Sequence, residues 1–431
     1  MSYTYAHGSG TEEDPYQVWD ADDLNGVRDH LDAYFIQMDN VDLGVPPYNE
    51  NEGWVPIDGF KGVYDGGNKT ISNLFIDRYI LYHRDGLFGE LVWETGTTAI
   101  FKNIHLRYIN ITARATVGSL IADCQIMDPP PTIDNCSVVG GVILVDRRCG
   151  GLIGSAQSGN INNCYVDNIT ISYRDDAAIE FGGIVGHVET YSGYPFEIKN
   201  CSFNGSIIPE TIPSANTIGG IIGSYNEANN KLIYKCFCES GAYLEGDYGI
   251  GGIVGIIVDG GVSNCYSRCG VEGDRDIGGL VGMNLTSGLI ENCYAAGLVL
   301  GHDAGEGGKV GGLVGSSTGT IINSYYDAEV SGQSDDDGRG TPKTTAEMTY
   351  PYSDPENVYI DWDFYGEAEE PVWQHDKEGL KYKKENVFWS EEESNIIKGP
   401  INDGYPHFIK APQLKYRYMK AIRGGTVTPI S

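Results

Sequence analysis

Nothing in this sequence is long and apolar. No stretch approaches the roughly 18 apolar residues of a membrane-spanning helix. The opening Met1-Ser2-Tyr3-Thr4-Tyr5 has neither the basic start nor the apolar run of a secretory signal peptide. Positive charge is also scarce: 29 Lys and Arg stand against 60 Asp and Glu, for a net charge of −31. That balance repels phosphate backbones and excludes nucleic-acid binding by the body of the chain. It attracts cations and keeps particles apart, which suits a salty or divalent-rich medium. Histidine is sparse, with eight scattered copies, so no His-based metal site or triad stands out. The ten cysteines never form the paired C-x-x-C halves of a zinc site; Cys236-Phe237-Cys238 and Cys265 with Cys269 come nearest. No cofactor is therefore expected. Asp335-Asp336-Asp337 is the one candidate for Ca²⁺, and it lacks the spaced ligands and closing Glu of an EF-hand.

Glycine, by contrast, is abundant (59 residues) and regularly placed. The phrase Gly-Gly-aliphatic-aliphatic-Gly begins at Gly150, Gly182, Gly219, Gly251, Gly278 and Gly311, in steps of 27 to 37 residues. A second phrase follows each copy: Asn163-Cys164-Tyr165, Asn200-Cys201-Ser202, Lys235-Cys236-Phe237, Asn264-Cys265-Tyr266, Asn292-Cys293-Tyr294 and Asn323-Ser324-Tyr325. Degenerate units extend the array toward the N-terminus, through Asn135-Cys136-Ser137, Asn103-Ile104 and Asn73-Leu74. A fixed phrase at such a period marks a stacked-repeat architecture.

Between the glycines lie runs of four to seven residues rich in Ile, Val and Tyr, such as Gly288–Tyr294. Such runs are strands, because useful helices do not fit and each helical Gly would cost about 1 kcal/mol. Short strands at constant period stack as a parallel β-solenoid, each coil adding roughly 4.8 Å. The predicted fold class is all-β, a right-handed parallel β-helix of about nine coils and on the order of 40 Å long. Cys136, Cys164, Cys201, Cys236, Cys265 and Cys293 then form an inward ladder ended by Ser324, in which cysteine acts as a small apolar residue. The glycine pairs are expected where the chain turns tightly or passes close to the next coil. Cys124, Cys149, Cys238 and Cys269 have no place in this scheme.

Open solenoid ends need caps. The expected division is a cap over 1–54, the β-helix over 55–330, and a C-terminal cap with a basic tail over 331–431. In the first cap, Asp20 reads as an N-cap with Asp22 and Asp23 in the first turn. Leu24, Val27, Leu31 and Tyr34 predict one amphipathic helix over Asp20–Tyr34. Phe35–Met38 and Val41–Leu43 read as the first strand. At the other end Lys410, Lys415, Arg417, Lys420 and Arg423 occur without an acid from Lys410 onward, as a charged edge or a docking tail.

The repeats resemble the GLUG-motif family, on Gly86-Leu87-Phe88-Gly89 and Gly311-Gly312-Leu313-Val314-Gly315 with the Asn-Cys-Tyr station following. Gly8–Tyr16, Phe60–Ile71 and Asn402–Pro406 are similar to that family's opening, first full coil and close. The resemblance implies a β-solenoid scaffold of the kind found in surface adhesins, in extracellular proteases outside their catalytic part, and in viral tail proteins. It implies no catalytic residue.

Chemistry on such a scaffold belongs in the variable loops. Those before the glycine phrase carry Asp146, Arg147 and Arg148, then Arg174, Asp175 and Asp176, then Asp274, Arg275 and Asp276, with Asp247 and Asp303 in related places. Stacked in register, they make either a solvated stripe of ion pairs or a ligand-binding face. A carboxylate pair there would make the chain a polysaccharide depolymerase, but the reading that it is not an enzyme is preferred. The leading expectation is a virion tail fibre, spike or tip protein that attaches to a host-surface glycan or protein. Other tail or baseplate proteins would then be partners, with a homotrimer as an option, and the 29 Tyr would offer stacking faces for sugars. A cellular surface adhesin, located outside the cell, is the alternative.

Overall fold

The computed structural model describes residues 2–362 apart from 80–82, 93, 97–98, 175–178, 211–216, 230, 303–307, 335–336 and 338, together with 373–374, 381–383, 396–398 and 405–408. The chain winds into a parallel β-solenoid with four strand stacks: an 11-stranded sheet, a 15-stranded sheet and two of eight strands each. The eight-stranded sheets set the length at about eight complete turns, against the nine expected. The sequence from Ser137–Val145 through Arg148–Gly150, Ile153–Ala156 and Gly159–Asn162 is one complete coil, and the next begins at Tyr165. Each strand pairs in parallel with its counterpart one coil away, so each station of the repeat becomes a column. One interior column runs Leu106, Val138, Val166, Phe203, Cys238, Ser267, Ala295 and Tyr326.

The glycine phrase does two jobs. Its first glycine ends one eight-stranded sheet, and the chain bends sharply before re-entering the other at the fourth residue. A Cβ on Gly150 would stand 1.8 Å from the carbonyl oxygen of Ile153, and one on Gly182 would stand 1.8 Å from that of Val185. The second glycine faces across the core onto the interior column just named. A Cβ on Gly183 would come within 2.3 Å of the Phe203 ring, one on Gly220 within 2.7 Å of Cys238 Sγ, and one on Gly312 within 2.0 Å of Tyr326. Cys238, unplaced in the sequence, is thus the small partner that fits against Gly220. Both glycines are where the chain turns tightly and where coils approach closely, as expected.

The Asn station has a backbone cause that the sequence reading missed. Asn73, Asn103, Asn135, Asn163, Asn200, Lys235, Asn264, Asn292 and Asn323 all have φ between 44° and 60°. Asparagine tolerates this left-handed conformation better than other residues with a side chain. Its amide also bonds along the corner: Asn135 Nδ2 donates to Asn103 Oδ1 (2.8 Å), and Asn163 Nδ2 to Asp134 Oδ1 (2.8 Å). The cysteine that follows points inward, and all ten cysteines are buried and free. The thiol of Cys164 donates to the carbonyl of Asn162 (3.0 Å), and that of Cys293 to the carbonyl of Glu291 (3.1 Å). Ser324 repeats the bond with its hydroxyl, to Ile322 at 2.8 Å.

The N-terminal helix is shorter than the apolar spacing suggests. An α-helix spans Ala21–Gly26 and one 3₁₀ turn spans Val27–Asp29. Asp20 is the N-cap, accepting from the amides of Asp22 and Asp23. The helix stops because the chain beyond it, Tyr34–Gln37, is drawn into the sheet beside Val63–Asp65. A strand not anticipated, Tyr16–Val18, forms the first rung. At the other end a second hydrophobic cluster covers the outer face of the solenoid. The stacked rings of Phe237, Tyr266 and Tyr294 and the ring of Tyr325 meet Tyr359, Trp362 and Tyr405 there.

Candidate functional site

Where the two eight-stranded sheets meet, the bend at the glycine phrase is concave, and two outward columns face each other across it. One runs Arg84, Thr116, Arg148, Glu180 and Thr217. The other runs Glu90, Asp123, Ser155, His187 and Ser224. Glycine floors this corner because any side chain there would strike the opposite strand: a Cβ on Gly154 would stand 2.7 Å from the carbonyl oxygen of Val117.

Ion pairs tie the columns together. Arg84 Nε lies 2.6 Å from Asp123 Oδ2, and its Nη1 lies 3.3 Å from Glu90 Oε2. Glu180 is 9% exposed; Arg148 Nε donates to its Oε2 at 2.9 Å, and His187 Nδ1 is 3.3 Å from its Oε1. Burial alone would raise the Glu180 carboxyl, but His187 and Arg148 outweigh it and hold the group below its ordinary range. Ser155 and Ser224, 7% and 8% exposed, flank His187 on the neighbouring coils.

Of the residues singled out in the sequence, Asp146, Arg147, Arg174 and Asp274 lie where the chain enters this corner. Arg148 is inside it. Asp146 is buried, 3.9 Å from Arg114 Nε, and receives a hydrogen bond from the phenol of Tyr79. Arg147 is exposed. Arg174 donates to Glu210 Oε2 at 2.7 Å and covers the Tyr79 ring. Arg275 reaches Asp247 Oδ2 at 3.3 Å, while Asp274 and Asp276 are half-buried beside it. Asp175, Asp176 and Asp303 lie outside the described residues, as do Asp335, Asp336, Lys410, Lys415, Arg417, Lys420 and Arg423. Among the described residues no group of three or more His, Cys, Asp or Glu is placed to hold a metal ion.

The structure therefore brings Arg148, Arg174 and Arg275 each against an acid of a neighbouring coil. Sequence reasoning missed Asp123, Glu180 and His187. Alignment of the repeats on their glycines would have found the last two: Arg148 and Glu180 stand two residues before the phrase, and Ser155, His187 and Ser224 stand just after it. Chemically the corner is a row of inter-coil ion pairs interleaved with hydroxyls.

The family model described as the GLUG motif matches residues 177–208, the unit that contains Glu180 and His187. Halomucin of Haloquadratum walsbyi is 29% identical over 161 residues, which is 35% of this chain and 2% of halomucin. A protein of Evansella cellulosilytica assigned as a Gly-rich membrane protein is 29% identical over 384 residues, 80% of this chain and 43% of that protein. The immunoglobulin A1 protease of Streptococcus pneumoniae is 26% identical over 191 residues, 43% of this chain and 8% of the protease. The chain thus spans less than half the length of each of these relatives. A crystal structure from Bacteroides ovatus, assigned as an immunoglobulin A1 protease, aligns with a TM-score of 0.47 at 20% identity, over 94% of this chain and 95% of that one. The chain is a parallel β-solenoid that carries the GLUG motif.

Proposed function

We propose that this chain is an extracellular segment of a cell-surface protein, a rigid rod that displays adhesive loops. The observation that carries the reading is the extent of similarity to the Evansella protein, 80% of this chain against 43% of a protein assigned to the membrane. Similarity to halomucin supports the same setting, and so does the net charge of −31, which keeps a surface layer hydrated and attracts cations. The ion pairs at the glycine corner support a scaffold over an enzyme, because Arg148, Arg174 and Arg275 are engaged in stapling coil to coil. Recognition belongs to the loops and the ends, with a surface glycan or protein as its target. All three protein relatives named above come from cellular organisms, which favours a cell-surface adhesin over a viral tail fibre.

One observation favours a second reading. The likeness to an immunoglobulin A1 protease suits a non-catalytic part of a secreted protease. Antibodies raised against the folded chain test the main reading on intact cells of the organism that encodes it. Labelling without permeabilisation is the expected result, and labelling only after permeabilisation would overturn it. Binding of the purified chain to a glycan array and to host-surface proteins then identifies the target class.

A further inference from the structure

The segment 52–58 lies across the first full coil and closes it. Its amides and carbonyls bridge the seam: Trp54 N bonds to Phe75 O (2.7 Å), Ile57 N to Leu87 O (3.2 Å), and Gly89 N to Ile57 O (3.0 Å). The indole of Trp54 donates to Leu87 O at 3.0 Å. Directly beneath, Asp85 occupies an inward station. In successive coils the same column holds Val117, Cys149, Phe181, Ile218, Ile250 and Ile277. A carboxylate has been set where every later coil of that series carries an apolar residue.

Asp85 is fully buried, and among the described residues neither of its oxygens has a hydrogen-bond partner. Arg78 Nη1 stands 3.5 Å from Asp85 Oδ1, and Arg78 Nε stands 3.8 Å from Glu52 Oε2, on the overlying segment. Arg78 thus reaches both sides of the seam. Asp58, on that segment, accepts from the amide of Glu90 across it at 2.9 Å. His83, two residues before Asp85, has a buried Nε2 with no hydrogen-bond partner among the described residues. Among the described residues, Glu52 and Asp58 from above and Arg78 and His83 from the chain before it are the titratable and charged groups around Asp85.

We propose that Asp85 is a pH-sensitive latch, which holds the segment 52–58 onto the first coil in acid and loosens as the medium becomes neutral. The physical basis is the burial of an ionised carboxylate with one imperfectly placed cation. Burial raises the Asp85 carboxyl to about 6; Arg78 opposes the rise, while Asp58 and Glu52 add to it. Opening the seam would return the group toward its ordinary value of 3.8. The closed seam therefore binds the proton more tightly. Its stabilisation is complete below about pH 4 and is lost as pH rises through about 6. The opening equilibrium is expected to grow on the order of 100-fold across that window.

Hydrogen exchange of the amides of Trp54, Ile57 and Gly89, corrected for intrinsic rates between pH 4.5 and 7.5, reads this opening directly. The strand Leu289–Glu291 serves as an internal reference. Protection at the seam should fall roughly 25-fold over that range in the native chain, and stay flat in Asp85→Asn. A flat native profile would sink the latch. So would an unchanged slope in Asp85→Asn, or a slope abolished by His83→Gln with Asp85 intact. Asp85→Val, which copies the next coil, should be flat and closed throughout.

Discussion

Tyr405 donates its phenolic hydrogen to Asp327 Oδ2 at 2.5 Å, across 78 residues of chain. The other oxygen of the same carboxylate caps the short helix Ala328–Ser331, accepting from the amides of Glu329 and Val330. One fully buried acid therefore ends the solenoid and anchors the returning chain. Burial and the bond to Asp327 both push the Tyr405 phenol well above its ordinary range.

Tyr405→Phe should leave Asp327 Oδ2 without its donor and cost about 1–2 kcal/mol of attachment of the C-terminal cluster. Asp327→Ala removes the helix cap as well and should cost about 1–2 kcal/mol more. Limited proteolysis after residue 331, together with thermal unfolding, distinguishes the two. Equal protease resistance in both variants and the parent would contradict the assignment.

The glycines of the repeat are not interchangeable with those of exposed turns. Gly182→Ala places a methyl group 1.8 Å from a backbone oxygen and should cost more than about 3 kcal/mol, read as a lowered midpoint in denaturant. Gly96 has φ of +84° and nothing within 4 Å, so Gly96→Ala should cost only about 1 kcal/mol of backbone strain. A smaller effect at Gly182 than at Gly96 would refute the steric account of the phrase.

The thiol ladder should be chemically silent while folded. All ten cysteines are buried, and burial pushes the ladder thiols of Cys136 and Cys164 well up, as it does those of Cys124 and Cys149. An aromatic disulfide reagent at pH 8 should therefore find no reactive thiol in the native protein and ten after denaturation. Cys265→Ser should be tolerated better than Cys265→Val. The hydroxyl of Ser324 already accepts from Cys293 N at 3.2 Å, a bond that a valine cannot make.

Glu180 and Asp85 predict opposite responses to acid. The Glu180 carboxyl is held low by His187 and Arg148, so its stabilisation is present above the ordinary carboxyl range and disappears as pH falls through its depressed value. Glu180→Gln should lower stability at neutral pH by about 1–3 kcal/mol and flatten the acid limb of the stability profile. Asp85→Asn should flatten the region near pH 6 instead. Identical profiles for the two variants would show that neither carboxyl is titrating as its surroundings dictate.

Much of the scaffold was written in the spacing of particular residues. Glycine pairs recur because a coil bend and a cross-core approach each leave no room for a Cβ, and cysteine recurs because one small inward group fits the same place in each coil. Those are local demands, repeated, and a sequence displays repetition plainly. The length of the N-terminal helix was not legible, because pairing of Tyr34–Gln37 with Val63–Asp65 overrides helical spacing that looks continuous in one dimension.

The corner site divides along the same line. The sequence by itself determined that charged residues gather near the glycine phrase, and it picked out Arg148. Only the tertiary structure decided its partner, because Glu180 lies 32 residues away and meets Arg148 through the stacking of coils. Asp85 makes the point more sharply: in sequence it is one acid among 60, and only its inward station turns it into a buried charge. Repetition encodes the period of a solenoid, whereas which side chains face inward and which meet across coils follows from register, a property of the folded stack.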